Sequence, residues 1–398
     1  MRMSERISGF QASPIRRLVP YANDAKRRGI HVFHLNIGQP DIKTPPQVIE
    51  AIRNYNSQII AYGQSEGELA LREALPTYYK SFGVDISADD IMITTGGSEA
   101  LQFMFMTLCD PGDEVIVPEP YYTNVGAFAH GASVELKPVT SRIEDGFTLP
   151  DIDHFKAQMS DRTRAILLCS PNNPTGHIYT DEELHQILEL VKERDIFLVV
   201  DEVYREFCYD GKDFTSVLSY PEYAERVIVV DSFSKRYSMC GARIGSLISR
   251  NHEVLAGAMK LAQARLCPPD IEQVAALAAV QTPQEYLDLV KHEYEKRRDF
   301  LVEQLRKIPG VFCSEPKGAF YLVARLPVDD AEAFCIYLLR DFQLNGQTVM
   351  LAPAEGFYVS EGLGRNEVRI AYVLNTVDLK HAVACLKAAL ESYPGRIG

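Results

Sequence analysis

The stretch T-D-E-E-L-H-Q-I-L-E-L-V-K-E-R-D-I-F-L-V-V-D, residues 180–201, sets the fold class. Thr180 with Glu183 three residues on has the form of a capping box, and Leu184, Ile187, Leu188 and Val191 then fall on one helical face. Phe197 to Val200 is apolar at every position rather than at alternate ones. Such a strand is covered on both faces, as parallel sheets require. A helix running into a doubly covered strand is part of a βαβ unit.

Outward from this stretch, between about 90 and 250, further β-rich runs alternate with helical patterns: Ile91 to Thr95, Glu114 to Val117, Ala165 to Cys169 and Val227 to Ser232. The expectation is an α/β protein whose large domain, residues 41–284, has three α/β/α layers around a mostly parallel sheet. From about 285 the texture changes to a long charged helix, Glu285 to Leu305, ended by Pro309 and Gly310. Short strands follow around Ala319 to Val323 and Val368 to Ala371, so residues 285–398 are expected to form a smaller α+β domain. Residues 1–40 contain Pro14, Pro20, Gly38 and Pro40 but no βαβ unit. They read as an arm packing on the small domain or on another subunit.

The chain has 398 residues, 46% of them hydrophobic, beyond the size at which single cores usually stop growing. Its 41 Lys and Arg against 54 Asp and Glu give a formal charge of −13, which disfavours nucleic acid and anionic membrane surfaces as partners. Any anionic ligand must be held by locally placed cations and amides. The eight cysteines (109, 169, 208, 240, 267, 313, 335 and 385) form no C-x-x-C pair and no Cys/His cluster, so reduced thiols in a cytoplasmic protein and no metal site are expected. The polar N-terminus and the lack of an apolar run of about 18 residues suggest neither a secretion signal nor a membrane span.

Four segments could carry chemistry. In V-V-D-S-F-S-K-R-Y-S-M-C-G-A-R-I-G, Lys235 lies just past a strand end, where α/β sheets place ligands, with Ser232 before it and Arg243 after it. Lys235 is either a solvated loop residue or an amine that forms a Schiff base beside an anion held by Ser232 and Arg243. In F-L-V-V-D-E-V-Y, Asp201 ends the covered strand and Tyr204 follows. Such a carboxylate either caps a helix or pairs with a protonated ring nitrogen of a pyridine cofactor. S-P-N-N-P-T-G, residues 170–176, is a turn. In I-M-I-T-T-G-G-S-E-A-L a strand meets two glycines and a helix starting near Ser98, which is either a plain βα turn or a cup for a phosphate.

Taken together, in this order, these segments resemble those of the aspartate aminotransferase family, the fold type I (class I/II) pyridoxal-phosphate-dependent aminotransferases. The resemblance runs from about residue 36 to the C-terminus: S-x-x-K followed by R-x-G, D-x-x-Y, N-P-T-G and the Gly-Gly cup. It implies pyridoxal 5'-phosphate as cofactor, linked to Lys235 as a Schiff base, with Asp201 on the ring nitrogen and Asn173 and Tyr204 on the phenolic oxygen. It further implies Gly97, Ser98, Ser232 and Arg243 around the phosphate, and Tyr122 in P-E-P-Y-Y stacked on the ring, although the family often has Trp there. Arg369 in E-V-R-I-A-Y and Gly38 in I-G-Q-P-D match positions that face the substrate α-carboxylate, where a planar bidentate donor suits better than lysine. Tyr62 matches a tyrosine that reaches the neighbouring subunit's phosphate, which implies a homodimer.

The activity this resemblance implies is transamination between an L-amino acid and a 2-oxo acid with ping-pong kinetics, aspartate with 2-oxoglutarate first, then aromatic, alanine or broad specificity. A dicarboxylic substrate needs a second cation. Some relatives that prefer aspartate carry a lysine directly after the Gly-Gly pair, where this chain has Ser98; Arg16, Arg17 and Arg265 are possible substitutes. The same apparatus serves carbon–sulfur β-lyases and aminocyclopropane carboxylate synthases. A non-enzymatic regulator would append a DNA-binding winged helix, for which neither spare length nor a basic patch is seen.

Overall fold

The computed structural model describes residues 3–10 and 13–397. Its strands are β1 (His31–His34), β2 (Ile91–Thr94), β3 (Glu114–Glu119), β4 (Glu135–Thr140), β5 (Thr163–Cys169), β6 (Phe197–Asp201), β7 (Val227–Ser232) and β8 (Gly245–Ile248). Then come β9 (Phe312–Cys313), β10 (Tyr321–Arg325), β11 (Gln347–Met350), β12 (Ala352–Pro353) and β13 (Glu367–Ala371). A seven-stranded sheet has the order β2-β8-β7-β6-β5-β3-β4. Five of its strands pair in parallel, and β8 alone runs against its neighbours.

The covered strand behaves as its composition requires. Leu198 and Val200 enter one core with Ile187 and Leu188 of the preceding helix. Val199 points through the sheet to the other core, with Val115, Phe105 and Ala258. The helix itself, Asp181–Arg194, starts on the expected reciprocal cap: Thr180 Oγ1 accepts from Glu183 N at 3.2 Å, and Glu183 Oε2 accepts from Thr180 N at 2.7 Å. Burial pushes the Glu183 carboxyl up, but hydrogen bonds from His177, Thr180 and Leu149 outweigh it and hold the group at about 2.

Two strands of this sheet escaped the sequence reading. Strand β4 includes Pro138 and is mostly half-buried, the pattern of an edge strand that tolerates a missing donor. Strand β8 is four residues long and begins at Gly245, where a Cβ would come within 2.6 Å of the Gly96 and Gly97 backbone and Asp231 O. The bare backbone there lets β8 wedge between β2 and β7.

Strands β12-β13-β10-β9 form a second, antiparallel sheet. Strand β10 begins at Tyr321, later than the Ala319 expected, because Ala319 adopts a left-handed φ of 55°. The N-terminal segment joins this part of the molecule: β1 pairs in parallel with β11, and the helix Val19–Arg27 packs on the helix Ala331–Arg340. The long charged helix is Gln284–Leu305. All eight cysteines are unpaired thiols. Among the described residues no helix is long and apolar enough to cross a membrane.

Replacing Thr180 with Ala removes one half of the reciprocal cap. It should lower stability by about 1 kcal/mol in chemical unfolding without moving the far-ultraviolet spectrum.

Candidate active site

Strands β2, β3, β5, β6 and β7 all end on one side of the sheet, and their ends open into a cavity of about 720 Å³. Ligands in open α/β sheets bind outside these carboxyl ends. Gly97 and Ser98 line it after β2, Tyr122 after β3, Asn173 after β5, Asp201 and Tyr204 at β6, and Ser232, Lys235 and Arg243 around β7. The remaining wall comes from Gly38 in the N-terminal part and from Tyr321 and Arg369 of the second sheet. Every residue expected around the cofactor or the substrate α-carboxylate therefore meets here except Tyr62, which stands apart and is 80% exposed; of the three arginines considered for a second carboxylate, Arg16 lines the cavity and Arg17 and Arg265 do not.

Lys235, half-buried, donates from Nζ to Gly38 O at 2.8 Å and lies 3.8 Å from Cys240 Sγ. Gly38 is required by contact: a Cβ there would fall 1.6 Å from the Tyr321 hydroxyl. Its carbonyl thus reaches the lysine rather than only the substrate side of the cavity, a contact the sequence reading missed.

The carboxylate of Asp201 accepts a hydrogen bond from Val203 N at 3.2 Å. Burial pushes it up to about 7, with Asp231 adding to the effect and Lys235 and Arg205 opposing it. A buried carboxylate in this condition favours a cationic partner. The Tyr204 and Tyr321 hydroxyls lie 2.9 Å apart. Burial also raises Tyr122 to about 12, and its hydroxyl accepts from Asn124 Nδ2 at 2.8 Å.

An anion fits at the start of the helix Gly96–Leu108, which begins two residues earlier than the Ser98 expected. Gly96 has a φ of +75°, and a Cβ on it would meet Arg243 Nη2 at 2.4 Å, so the guanidinium lies over the turn. Free amides of the first helical turn and this cation face the same space. Ser232 Oγ accepts from Ser234 N at 3.2 Å at the edge of that space. The one acid of the first turn, Glu99, is engaged by Thr95 N at 2.7 Å and Arg265 at 2.9 Å.

Arg369, 2% exposed, donates from Nη1 to Asn173 Oδ1 at 3.0 Å and from Nη2 to Asn36 O at 2.5 Å. Its Nε is buried with no partner among the described residues. Tyr321 and Phe357 place their rings 4.6 and 5.1 Å from its guanidinium carbon. A buried cation with an orphan donor, opening on a cavity, is suited to a carboxylate.

Beneath the cavity lies a charged cluster that the sequence reading did not single out. Asp231 accepts from Arg236 Nη1 at 2.8 Å and Tyr79 OH at 2.7 Å, and Arg205 bridges Glu202 and Asp231 at 3.2 and 3.5 Å. All four charged side chains are fully buried. Burial pushes Glu202 up to about 7, whereas the two arginines overcome burial and hold Asp231 below its usual range. The cluster pins the ends of β6 and β7, and with them Asp201 and Lys235. Its only trace in the sequence is an acid within the run V-I-V-V-D and an arginine directly after the lysine. Among the described residues no cluster of metal ligands occurs.

The family model for aminotransferase class I and II matches residues 30–386. A probable aspartate/prephenate aminotransferase of Aquifex aeolicus is 32% identical over 397 residues, covering 98% of both chains. The crystal structure of an aspartate aminotransferase from Thermotoga maritima superposes with a TM-score of 0.89 at 32% identity, covering 98% of this chain and 100% of that one. An alanine aminotransferase from Pyrococcus furiosus superposes with a TM-score of 0.88 at 31% identity, covering 97% and 99%.

A carboxyl whose folded value is raised is favoured while protonated, and its contribution to stability is lost as pH rises toward and through about 7. In ligand-free protein, Asp201→Asn should therefore lose less stability than wild type between pH 5 and 8, by on the order of 2 kcal/mol in denaturant midpoints converted with the measured slopes. Parallel pH curves for the two proteins would contradict the assignment of a raised carboxyl to this position.

Proposed function

The chain belongs to the class I and II aminotransferases, and on that premise we propose that it transfers the amino group of aspartate to 2-oxoglutarate using pyridoxal 5'-phosphate carried on Lys235. The observation that carries this reading is the convergence of Lys235, Asp201 and Arg369 on one cavity from three distant parts of the chain. Three places on the cavity wall have a requirement that the cofactor or substrate would fill. Asp201 lacks a full cationic partner, Arg369 Nε lacks an acceptor, and the Gly96 turn under Arg243 is open to an anion.

When bound, the cofactor supplies an aldehyde carbon for amine exchange and a cationic ring that accepts electron density from the substrate α-carbon. The residues do the rest. Asp201 keeps the ring nitrogen protonated. Asn173 and Tyr204 would hold the phenolic oxygen, and Gly97, Ser98, Ser232 and Arg243 would hold the phosphate. Arg369 fixes the substrate α-carboxylate, aided by the orientation that Asn36 O and Asn173 Oδ1 impose on its guanidinium. Lys235 Nζ, once freed by the substrate amine, would serve as the general base for the α-proton, a role that contributes roughly 10² to 10⁴-fold. The amino group is stored between two half-reactions, so ping-pong kinetics is expected.

A homodimer belongs to this reading. Tyr62 is 80% exposed beside Ile59 and Ile60 at 77% and 65%, an apolar surface suited to a partner subunit whose phosphate Tyr62 would reach. The eight unpaired thiols favour a cytoplasmic setting. The division into residues 1–40, 41–284 and 285–398 is proposed as well. Its support is an apolar core, distinct from the two flanking the large sheet, that joins Leu18 to Leu35 with residues 290–390 and takes in only Val203, Tyr204, Phe207 and Tyr209 among the buried residues of 41–284.

A second reading, alanine as donor, draws on the Pyrococcus neighbour, which is as similar in fold as the aspartate enzyme. Half-reactions with single amino donors separate the two: aspartate and glutamate should react with the purified holoenzyme faster than alanine or phenylalanine. Borohydride reduction followed by peptide mass mapping should place the cofactor on Lys235. Lys235→Ala should lose that adduct and lower turnover by at least about 10²-fold; an adduct on another lysine would refute the assignment.

A further inference from the structure

The cations lining the cavity are Arg16, Lys235, Arg243 and Arg369. On the reading above, Lys235 carries the cofactor, Arg243 faces its phosphate and Arg369 takes the α-carboxylate. Arg16 is left over. Among the described residues it has neither a carboxylate partner nor a side-chain hydrogen bond, whereas Arg17 pairs with Glu332 at 2.5 Å and Arg265 with Glu99 at 2.9 Å and Ser65 O at 2.7 Å. Neither Arg17 nor Arg265 lines the cavity.

Although the Arg16 side chain is exposed, the backbone that carries it is fixed. Pro14 is buried against Gly356, where a Cβ would come within 2.7 Å of its ring. Ile15 packs beside Ala354 and Phe357. Ile15 O accepts from Asn36 Nδ2 at 3.3 Å, and the carbonyl of the same Asn36 accepts from Arg369. Asn36 thus ties the segment bearing Arg16 to the segment bearing Arg369, and Phe357, whose ring lies 5.1 Å from the Arg369 guanidinium carbon, belongs to the apolar cluster on which Ile15 packs. The backbone segments that carry the two arginines are held at the wall of one cavity by a common frame.

We infer that Arg16 is the specificity-determining cation for the second carboxylate of a dicarboxylic amino acid or oxo acid, with Arg369 holding the first. The inference rests on the proposed roles of Lys235, Arg243 and Arg369. In a chain of net charge −13, a dianion gains affinity from cations and amides placed at its own oxygens, and an arginine fork matches a carboxylate. Because Arg16 lies at the exposed rim, its contribution falls toward the lower part of the range for charged hydrogen bonds.

The test uses holoenzyme of wild type, Arg16→Met and Arg16→Lys. Single half-reactions with aspartate, glutamate and alanine are followed by the cofactor's absorption, and succinate and propionate are titrated by calorimetry as non-reacting probes. In Arg16→Met the ratio of aspartate to alanine rate constants should fall about 10- to 30-fold, with succinate weakened by a similar factor relative to propionate, and Arg16→Lys should recover part of both. If wild type prefers aspartate and Arg16→Met keeps that preference and its succinate affinity, the Arg16 assignment alone is overturned. Equal losses for aspartate and alanine also overturn it, since they mark a structural role. A wild type that favours alanine and binds succinate no better than propionate overturns the aspartate reading together with this one.

Discussion

A carboxylate at the end of a doubly covered strand is the constraint on which the site depends. Asp201 sits where β6 leaves the sheet, desolvated to the point that its carboxyl is pushed up to about 7. The surroundings relieve it only in part: one backbone amide, and Lys235 and Arg205 at a distance. Arg205 is held by Glu202 and Asp231 in the cluster below, so it cannot serve as a dedicated partner. A chain that buries a charge and withholds its counter-ion leaves that place to a ligand.

The buried cluster of Glu202, Arg205, Asp231 and Arg236 explains how such a position stays rigid. Each charge has an opposite one within hydrogen-bonding or ion-pair distance, so the desolvation of four groups is offset locally. The residues alternate with those that face the cavity: Asp201 beside Glu202, Ser232 beside Asp231, Lys235 beside Arg236. Side chains pointing down hold the backbone, and their chain neighbours pointing up receive fixed positions. Arg369 performs the corresponding task on the opposite wall, joining the segments of Asn36 and Asn173 through two hydrogen bonds.

How much of this was legible in the sequence varied with the range of the interaction. The helix 181–194 and strand β6 could be read in full, since a reciprocal cap and continuous apolarity are local signals. Edge strand β4 was obscured by Pro138, and β8 by its brevity and opening glycine. Lys235, Asp201, Asn173 and Arg369 could be picked out because their segments resemble a known family. Tyr321, Asn36 and the cluster under the sheet could not, because each gains its meaning from a residue distant in the chain.

By itself the sequence determined that strands and helices alternate, that one strand is covered on both faces, and which residue types stand at the strand ends. Those follow from apolar periodicity and capping chemistry within a few neighbouring residues. Only the tertiary structure decided that Gly38 must lack a side chain, that Arg265 is spent on Glu99 and Arg17 on Glu332, and that Arg16 alone of the three faces the cavity. An arginine's partner is chosen by whichever carboxylate folding brings within about 4 Å, and no local pattern encodes that distance.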